Sequence, residues 1–178
     1  MRYTPIENHG VIGDLHTVAL VGMDGAIDFM CFPRFDSPTI FAALLDERRG
    51  GRFQLAPVLK EARHKQLYMP DSNILLTRFL SENGVGEVSD FMPITDLGHA
   101  HNLVRRAKTI RGDMPWRMTF DPRFDYGRAE HRVEKSKKGE VLFHSRGPDK
   151  TVLRLRSQVP VRIENGAAVA EFSLRSGE

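Results

Sequence analysis

Asp24-Gly-Ala-Ile-Asp-Phe-Met-Cys-Phe-Pro-Arg-Phe-Asp-Ser-Pro38 is the stretch whose reading decides the fold. Asp24-Gly25 predicts a hairpin, because a two-residue type I′ turn needs positive φ at both central positions and this pair tolerates it. His16 to Val21 reads as the strand before the turn. After it Ile27, Phe29 and Cys31 alternate with Asp28, Met30 and Phe32, a strand with at least one buried face. Pro33-Arg34-Phe35-Asp36 then packs polar and aromatic groups into a loop. Ser37 is a natural helix cap and Pro38 fits a first helical position. Ile40, Phe41, Leu44 and Leu45 recur at helical spacing, so a short helix is expected over residues 38–47, ended by Gly50-Gly51. A loop held between a strand and a helix is a platform for function, or a structural corner.

Outward from this stretch the chain reads as β almost throughout. Arg52 to Ala56 alternates and stops at Pro57, and Ala62 to Tyr68 is a polar strand of edge character. Asn73 to Ser81 and Val85 to Met92 form a hairpin across Asn83-Gly84. Leu103 to Ile110 and Trp116 to Phe120 follow, then segments at 129–134, 140–144, 151–156, 159–164 and 167–174, the last pair joined by Asn165-Gly166. Turn signals at such regular spacing indicate a mainly β protein, a large antiparallel β-sandwich, with residues 1–178 as a single domain.

Composition agrees with an ordinary globular domain. The chain has 178 residues, 40% of them hydrophobic, and a formal net charge of +3. No apolar run approaches the ~20 residues needed to cross a bilayer, so no membrane association is expected. The first residues lack an apolar signal core. A single cysteine, Cys31, excludes an internal disulfide and suits a reducing, cytoplasmic location. Its apolar neighbours suggest a buried thiol. The basic excess is spread out, and nothing resembles an RNA- or DNA-binding signature, so nucleic acid is not an expected partner.

Spacing alone singles out no catalytic pair. Glu7, Asp14, Asp24, Asp28, Asp36, Asp90, Asp96, Asp121 and Asp125 all fall near turns or strand ends, where carboxylates commonly bond to backbone. His99-Ala-His101 offers two imidazoles, but Leu97-Gly98 before it suggests a loop rather than a strand that would fix them on one face. No metal site and no cofactor are therefore expected. The sequence contains neither G-x-S-x-G nor a P-loop.

Several segments together carry a resemblance. Pro5-Ile-Glu-Asn-His-Gly-Val-Ile-Gly-Asp14, Asp24-Gly-Ala-Ile-Asp-Phe29, Cys31-Phe-Pro-Arg-Phe-Asp-Ser-Pro38 and Phe41-Ala-Ala-Leu-Leu45 resemble the N-terminal region of bacterial-type glucoamylases and trehalase-like enzymes, glycoside hydrolase family 15. The likeness continues, in order, through Asp90-Phe-Met-Pro93, Pro122-Arg-Phe-Asp-Tyr-Gly127, Gly147-Pro-Asp149 and Ala170 to Glu178. Phe29 departs from it, since the family usually has Trp there.

The resemblance implies a "super-β-sandwich" that precedes an (α/α)6 barrel carrying both catalytic glutamates. One glutamate would act as general acid and the other would activate water, inverting the anomeric centre. No catalytic residue is then expected in this chain. Its partners would be the C-terminal catalytic barrel of the same polypeptide and, in the full enzyme, an α-glucoside. The domain would pack on the barrel, stabilise it and lend a loop to the rim of the substrate pocket. Arg34, Phe35 and Asp36 are the candidate rim residues, with Asp14 next. Arg34 could bond sugar hydroxyls and Phe35 could stack on a sugar face, or Arg34 and Asp36 could pair while Phe35 plugs the core. The alternative function is an independent carbohydrate-binding module, although aromatics are only 8% of residues. The repeat of Pro-Arg-Phe-Asp at 122–125 suggests either coincidence or a shared corner geometry.

Overall fold

The structure, a computed structural model, describes residues 4–94, 101–136 and 139–178. A single 3-10 turn at Ile6–Asn8 leads into β1 (His9–Gly13), β2 (Val18–Gly22), β3 (Ala26–Cys31), β4 (Thr39–Phe41) and β5 (Arg52–Pro57). Next come β6 (Arg63–Tyr68), β7 (Leu75–Ser81), β8 (Gly84–Phe91) and β9 (Val104–Arg111). β10 (Met114–Asp121) is followed by one helical turn, α1 (Phe124–Gly127), then β11 (His131–Lys135), β12 (Val141–Ser145) and β13 (Val152–Leu155). β14 (Arg162–Glu164) and β15 (Ala167–Leu174) complete the described chain.

Every strand pairing is antiparallel. The largest sheet has eight strands in the order β1-β2-β3-β5-β10-β15-β14, with β4 also on β3. β6-β7-β8-β9 and β11-β12-β13 form two smaller sheets. The alternation of β10 shows how they stack. Met114, Trp116, Met118 and Phe120 are buried, while Pro115 and Arg117 are exposed and Thr119 is half-buried. Trp116 meets Phe79 of β7 edge-on, with centroids 6.3 Å apart, and Phe120 meets Phe143 of β12 at 5.0 Å. Both small sheets therefore lie side by side on one face of the large one, which gives the expected sandwich. Each fully buried aromatic or aliphatic side chain contributes roughly 1.5–3 kcal/mol through water exclusion.

Polar groups stitch the layers. Arg105 of β9 is buried and forms a two-pronged pair with Asp90 of β8, at 2.7 and 3.1 Å. Its remaining N–H groups donate to the carbonyls of Phe53 in β5 and of Gly25 in the turn between β2 and β3, and its guanidinium lies 4.8 Å over the Phe53 ring. Arg106 faces solvent, as alternation requires. At the margin, the Tyr68 hydroxyl donates to the Val11 carbonyl and accepts from the Val11 N–H. β6 is an edge strand and almost wholly exposed, as its polar composition predicts.

Two expectations for the opening stretch are corrected. The helix over 38–47 does not form. Thr39–Phe41 is β4, paired with β3, and turns follow it. Residues 39–43 are all buried, whereas Leu45, assigned to the helix's apolar face, is exposed. An element buried on every side gains more from two-sided packing than from a helical stripe. Ser37 caps no helix: its hydroxyl accepts from the Arg34 N–H. Gly50 and Gly51 end no helix either. Their carbonyls accept the N–H groups of Ala42 and Ala43, and a Cβ on Gly50 would sit 2.1 Å from the Ala42 carbonyl carbon. The short helical turn is α1 instead, with left-handed Asp125 and Tyr126 inside it.

The turn at Asp24-Gly25 is a hairpin of a different kind. Gly25 alone has positive φ, at 78°, and its N–H bonds the Gly22 carbonyl, while the Asp24 carboxylate accepts from Ala26 N–H. The three-residue connection Met23-Asp24-Gly25 follows the form with glycine in the last, left-handed place. Asn165-Gly166 does have positive φ at both positions, 50° and 83°, as its sequence predicts.

Candidate functional site

The β1–β2 connection, the loop after β3 and the approach to β9 converge around Asp14. Leu15 and His16 form the two-residue turn, with Asp14 N–H bonded to the Thr17 carbonyl. Asp14 Oδ1 accepts from the N–H groups of His16 and Thr17, at 3.1 and 3.0 Å. Its other oxygen, Oδ2, lies 2.5 Å from Nδ1 of His101. The Phe32 ring meets the His101 ring edge-on at 5.7 Å, and His16 flanks it at 5.3 Å. Burial pushes the Asp14 carboxyl up, but the bonds from Thr17, His101 and His16 outweigh it, and the net shift is downward. Asp14 is thus an inward-facing anchor rather than an exposed rim group.

The loop of residues 32–38 is closed by a bond from Phe32 N–H to the Pro38 carbonyl, and Phe32–Pro33 is a cis peptide. Phe35 N–H donates to the His16 carbonyl at 3.0 Å, which ties this loop to the Asp14 turn. Arg34 and Asp36 pair with each other through two bonds, at 3.1 and 3.3 Å, and both side chains are exposed. Phe35 does not plug the core; it is 54% exposed. Leu15, in left-handed backbone at φ 74°, is 75% exposed on the turn to which Phe35 bonds. A leucine there costs about 1 kcal/mol or more relative to a glycine. The four sequence candidates therefore separate: Arg34, Phe35 and Asp36 stand on an exposed loop, and Asp14 supports the neighbouring turn from inside.

The second Pro-Arg-Phe-Asp shares neither geometry nor exposure. Phe124 is fully buried, Asp125 pairs with Arg128, and Arg123 pairs with Asp121. Trp116 is buried, with Nε1 donating to Thr109 Oγ1 at 3.0 Å. Cys31 is half-buried, and burial together with the nearby Asp36 charge pushes its thiol up, away from reactivity.

Sequence reasoning passed over His16, and it weighed His101 only beside His99, which lies outside the described residues. The carboxylate partner of His101 is Asp14, 87 positions away. No local spacing could announce that contact. The Asp-x-His of Asp14 and His16 was the visible half of the signal.

A second acid–imidazole pair lies on the sheet. His9 Nε2 is 2.9 Å from Asp28 Oδ2, and Asp28 Oδ1 is buried with no hydrogen-bond partner. Burial pushes the Asp28 carboxyl up despite His9. For His9 burial acts downward, but the Asp28 bond and charge and the Pro5 and Ile6 carbonyls outweigh it, so the imidazole is raised. A raised histidine stabilises the fold fully below its unfolded value near 6.5 and loses that contribution as pH rises through its folded value. The stability gap between wild type and His9→Gln is therefore expected to narrow as pH rises above that unfolded value of 6.5. Thermal unfolding of both proteins on either side of it checks this, and a gap constant with pH would refute it.

The comparisons with known proteins identify the domain. The family model for the trehalase-like N-terminal domain matches residues 1–165, and the chain belongs to that family. It is 31% identical over 165 residues to a trehalase of Thermoplasma volcanium, covering 90% of this chain and 26% of that protein. It is 30% identical over 197 residues to a trehalase of Mycolicibacterium smegmatis, covering 99% of this chain and 29% of that protein. Trehalase 1 of Sulfolobus acidocaldarius is 38% identical over 118 residues, 66% of this chain and 19% of its own length. The chain thus spans between a quarter and a third of the length of the first two relatives. No solved structure matches it.

Proposed function

We propose that this chain is the non-catalytic N-terminal domain of an inverting α-glycoside hydrolase of the trehalase or glucoamylase type, glycoside hydrolase family 15. It packs on and stabilises a C-terminal catalytic barrel and lends the 34–36 loop to the rim of the substrate pocket. The observation that carries this reading is the chain's match to about a quarter of full-length trehalases, all of it within one β-sandwich. An exposed aromatic on a loop braced from beneath supports the rim assignment: Phe35 is presented by the Arg34–Asp36 pair and by its bond to the Asp14 turn. Such a ring can cover a sugar face while Arg34 exchanges Asp36 for a sugar hydroxyl. The substrate is an α-glucoside, trehalose being the one that the relatives' names favour. A cytoplasmic setting fits the single, weakly acidic thiol. Nucleic acid and membranes are not partners in this reading. No helix among the described residues is long and apolar enough to cross a bilayer.

Hydrolysis of trehalose and of maltose tests it, using this chain alone and the same chain extended by a C-terminal catalytic region. Turnover is expected only in the extended protein, and Phe35→Ala in that protein should raise KM more than it lowers kcat. Turnover by the 178 residues alone would overturn the reading and point to the Asp14–His101 and Asp28–His9 pairs as acid–base groups.

A further inference from the structure

We infer that Asp14, His16 and His101 form a binding site for a late first-row divalent cation of the Zn2+ type, placed beneath the exposed 34–36 loop. The inference does not rest on the glycosidase reading. One ligand atom from each of the three side chains lies within 4.8 Å of the others. Two imidazoles and one carboxylate are the donor set that late transition ions select, whereas Mg2+ and Ca2+ prefer oxygen-rich shells. With bonds of ~2.0–2.1 Å, the ligands of a tetrahedral Zn2+ stand ~3.3 Å apart. The Asp14 Oδ2–His101 Nδ1 contact of 2.5 Å therefore has to open by under about 1 Å. His16 is exposed on the two-residue turn, and its Nδ1 lies 3.3 Å from the Asp14 carbonyl oxygen. Its ring would exchange that contact for the ion, or keep it while binding through Nε2.

The surroundings are those of an oriented site. Metal-binding carboxylates and imidazoles are commonly fixed by outer partners. Here two backbone N–H groups hold Asp14 Oδ1 and so aim Oδ2 at His101. Phe32 packs edge-on against the His101 ring and fixes its plane. On binding, His101 gives up the proton on Nδ1 and carries its N–H on Nε2 instead, exchanged through solvent, so that the Nδ1 and Asp14 Oδ2 lone pairs pass to the cation. Three protein ligands leave one position of a tetrahedral ion open for a water or a hydroxyl ligand. His16 also accepts the Phe35 N–H through its carbonyl, so an ion held at this turn would stiffen the loop that carries Phe35. The His9–Asp28 pair, by contrast, brings only two donor side chains together.

The test is calorimetric titration of the untagged chain with ZnCl2, backed by the visible absorption of a Co2+ complex. The expected result is one equivalent bound in the micromolar range or tighter, weakened at least about tenfold by His16→Ala and by His101→Ala. His64→Ala, on the exposed strand β6, should leave it unchanged. His16 is exposed, so its variant keeps the measurement decisive even if His101→Ala does not fold. Absence of Zn2+ binding to the wild type would overturn the proposal, and so would binding that His16→Ala leaves intact. Mg2+ binding equal to Zn2+ would overturn the assignment of cation class.

Discussion

Arg105→Met is expected to destabilise the domain by about 3–5 kcal/mol, read as a shift in the urea midpoint at constant m-value. The size follows from what is left behind. Both members of the Asp90–Arg105 pair are buried, the carboxylate completely, so the variant strands an uncompensated charge in the core. It also removes the donors that serve the Phe53 and Gly25 carbonyls, and with them a charged tie between β9 and the large sheet. A typical domain holds about 5–15 kcal/mol in total, so this loss brings it close to unfolding at moderate temperature. Asp90→Leu combined with Arg105→Met should recover part of the stability, because the buried charge is then gone, while the two carbonyls remain without their donors. A cost below about 1 kcal/mol for Arg105→Met would show that water reaches Asp90 and that the pair does not couple the sheets.

Trp116→Ala is the second large effect, at about 3–5 kcal/mol. The indole fills the junction between β10 and the β6–β9 sheet. Its ring stacks on Phe172 with planes 8° apart and meets Phe79 edge-on. Gly86 makes room for it: a Cβ there would lie 2.9 Å from Trp116 Cζ2. Truncation therefore opens a cavity at the contact between layers and leaves the buried Thr109 hydroxyl without its donor. Trp116→Phe refills much of the space but not the hydrogen bond, so it should fall between wild type and alanine. Circular dichroism during urea unfolding measures all three proteins, since Trp116 is the sole tryptophan and fluorescence is lost with it. Equal stability of the phenylalanine and alanine variants would place the effect in the hydrogen bond rather than in packing.

Much of the architecture is legible in the residues alone, for a physical reason. A strand buried on one face must alternate, and β5 and β10 do so residue by residue. Asn165-Gly166 declares its turn because few other pairs accept positive φ twice. Residues 38–47 mislead for the complementary reason. Thr39 to Ala43 are buried on every side, so their apolar run has no period to read, and chance spacing of Ile40, Phe41 and Leu44 imitates a helical stripe.

The site divides in the same way. The exposed Arg34-Phe35-Asp36 loop is marked by its own composition, and local pairing of Arg34 with Asp36 follows from their closeness in the chain. Asp14 stands out from the other acids only through the family resemblance, not through its spacing. Its partnership with His101 arises because β1 and the segment entering β9 meet in the folded layers, a long-range consequence that neither local sequence contains.

The phenol of Tyr68 has a consequence for colloidal behaviour. Val11 lies on the outermost strand of the eight-stranded sheet, where an unpaired N–H and carbonyl would template an incoming chain. Tyr68 occupies both groups from the side, so a foreign strand must first displace a two-way hydrogen bond before it can add. β6, which supplies the tyrosine, is itself an open margin, and Arg63, His64 and Lys65 make it charged and hydrated. Fibril-like accretion is thereby obstructed at two edges by one short strand.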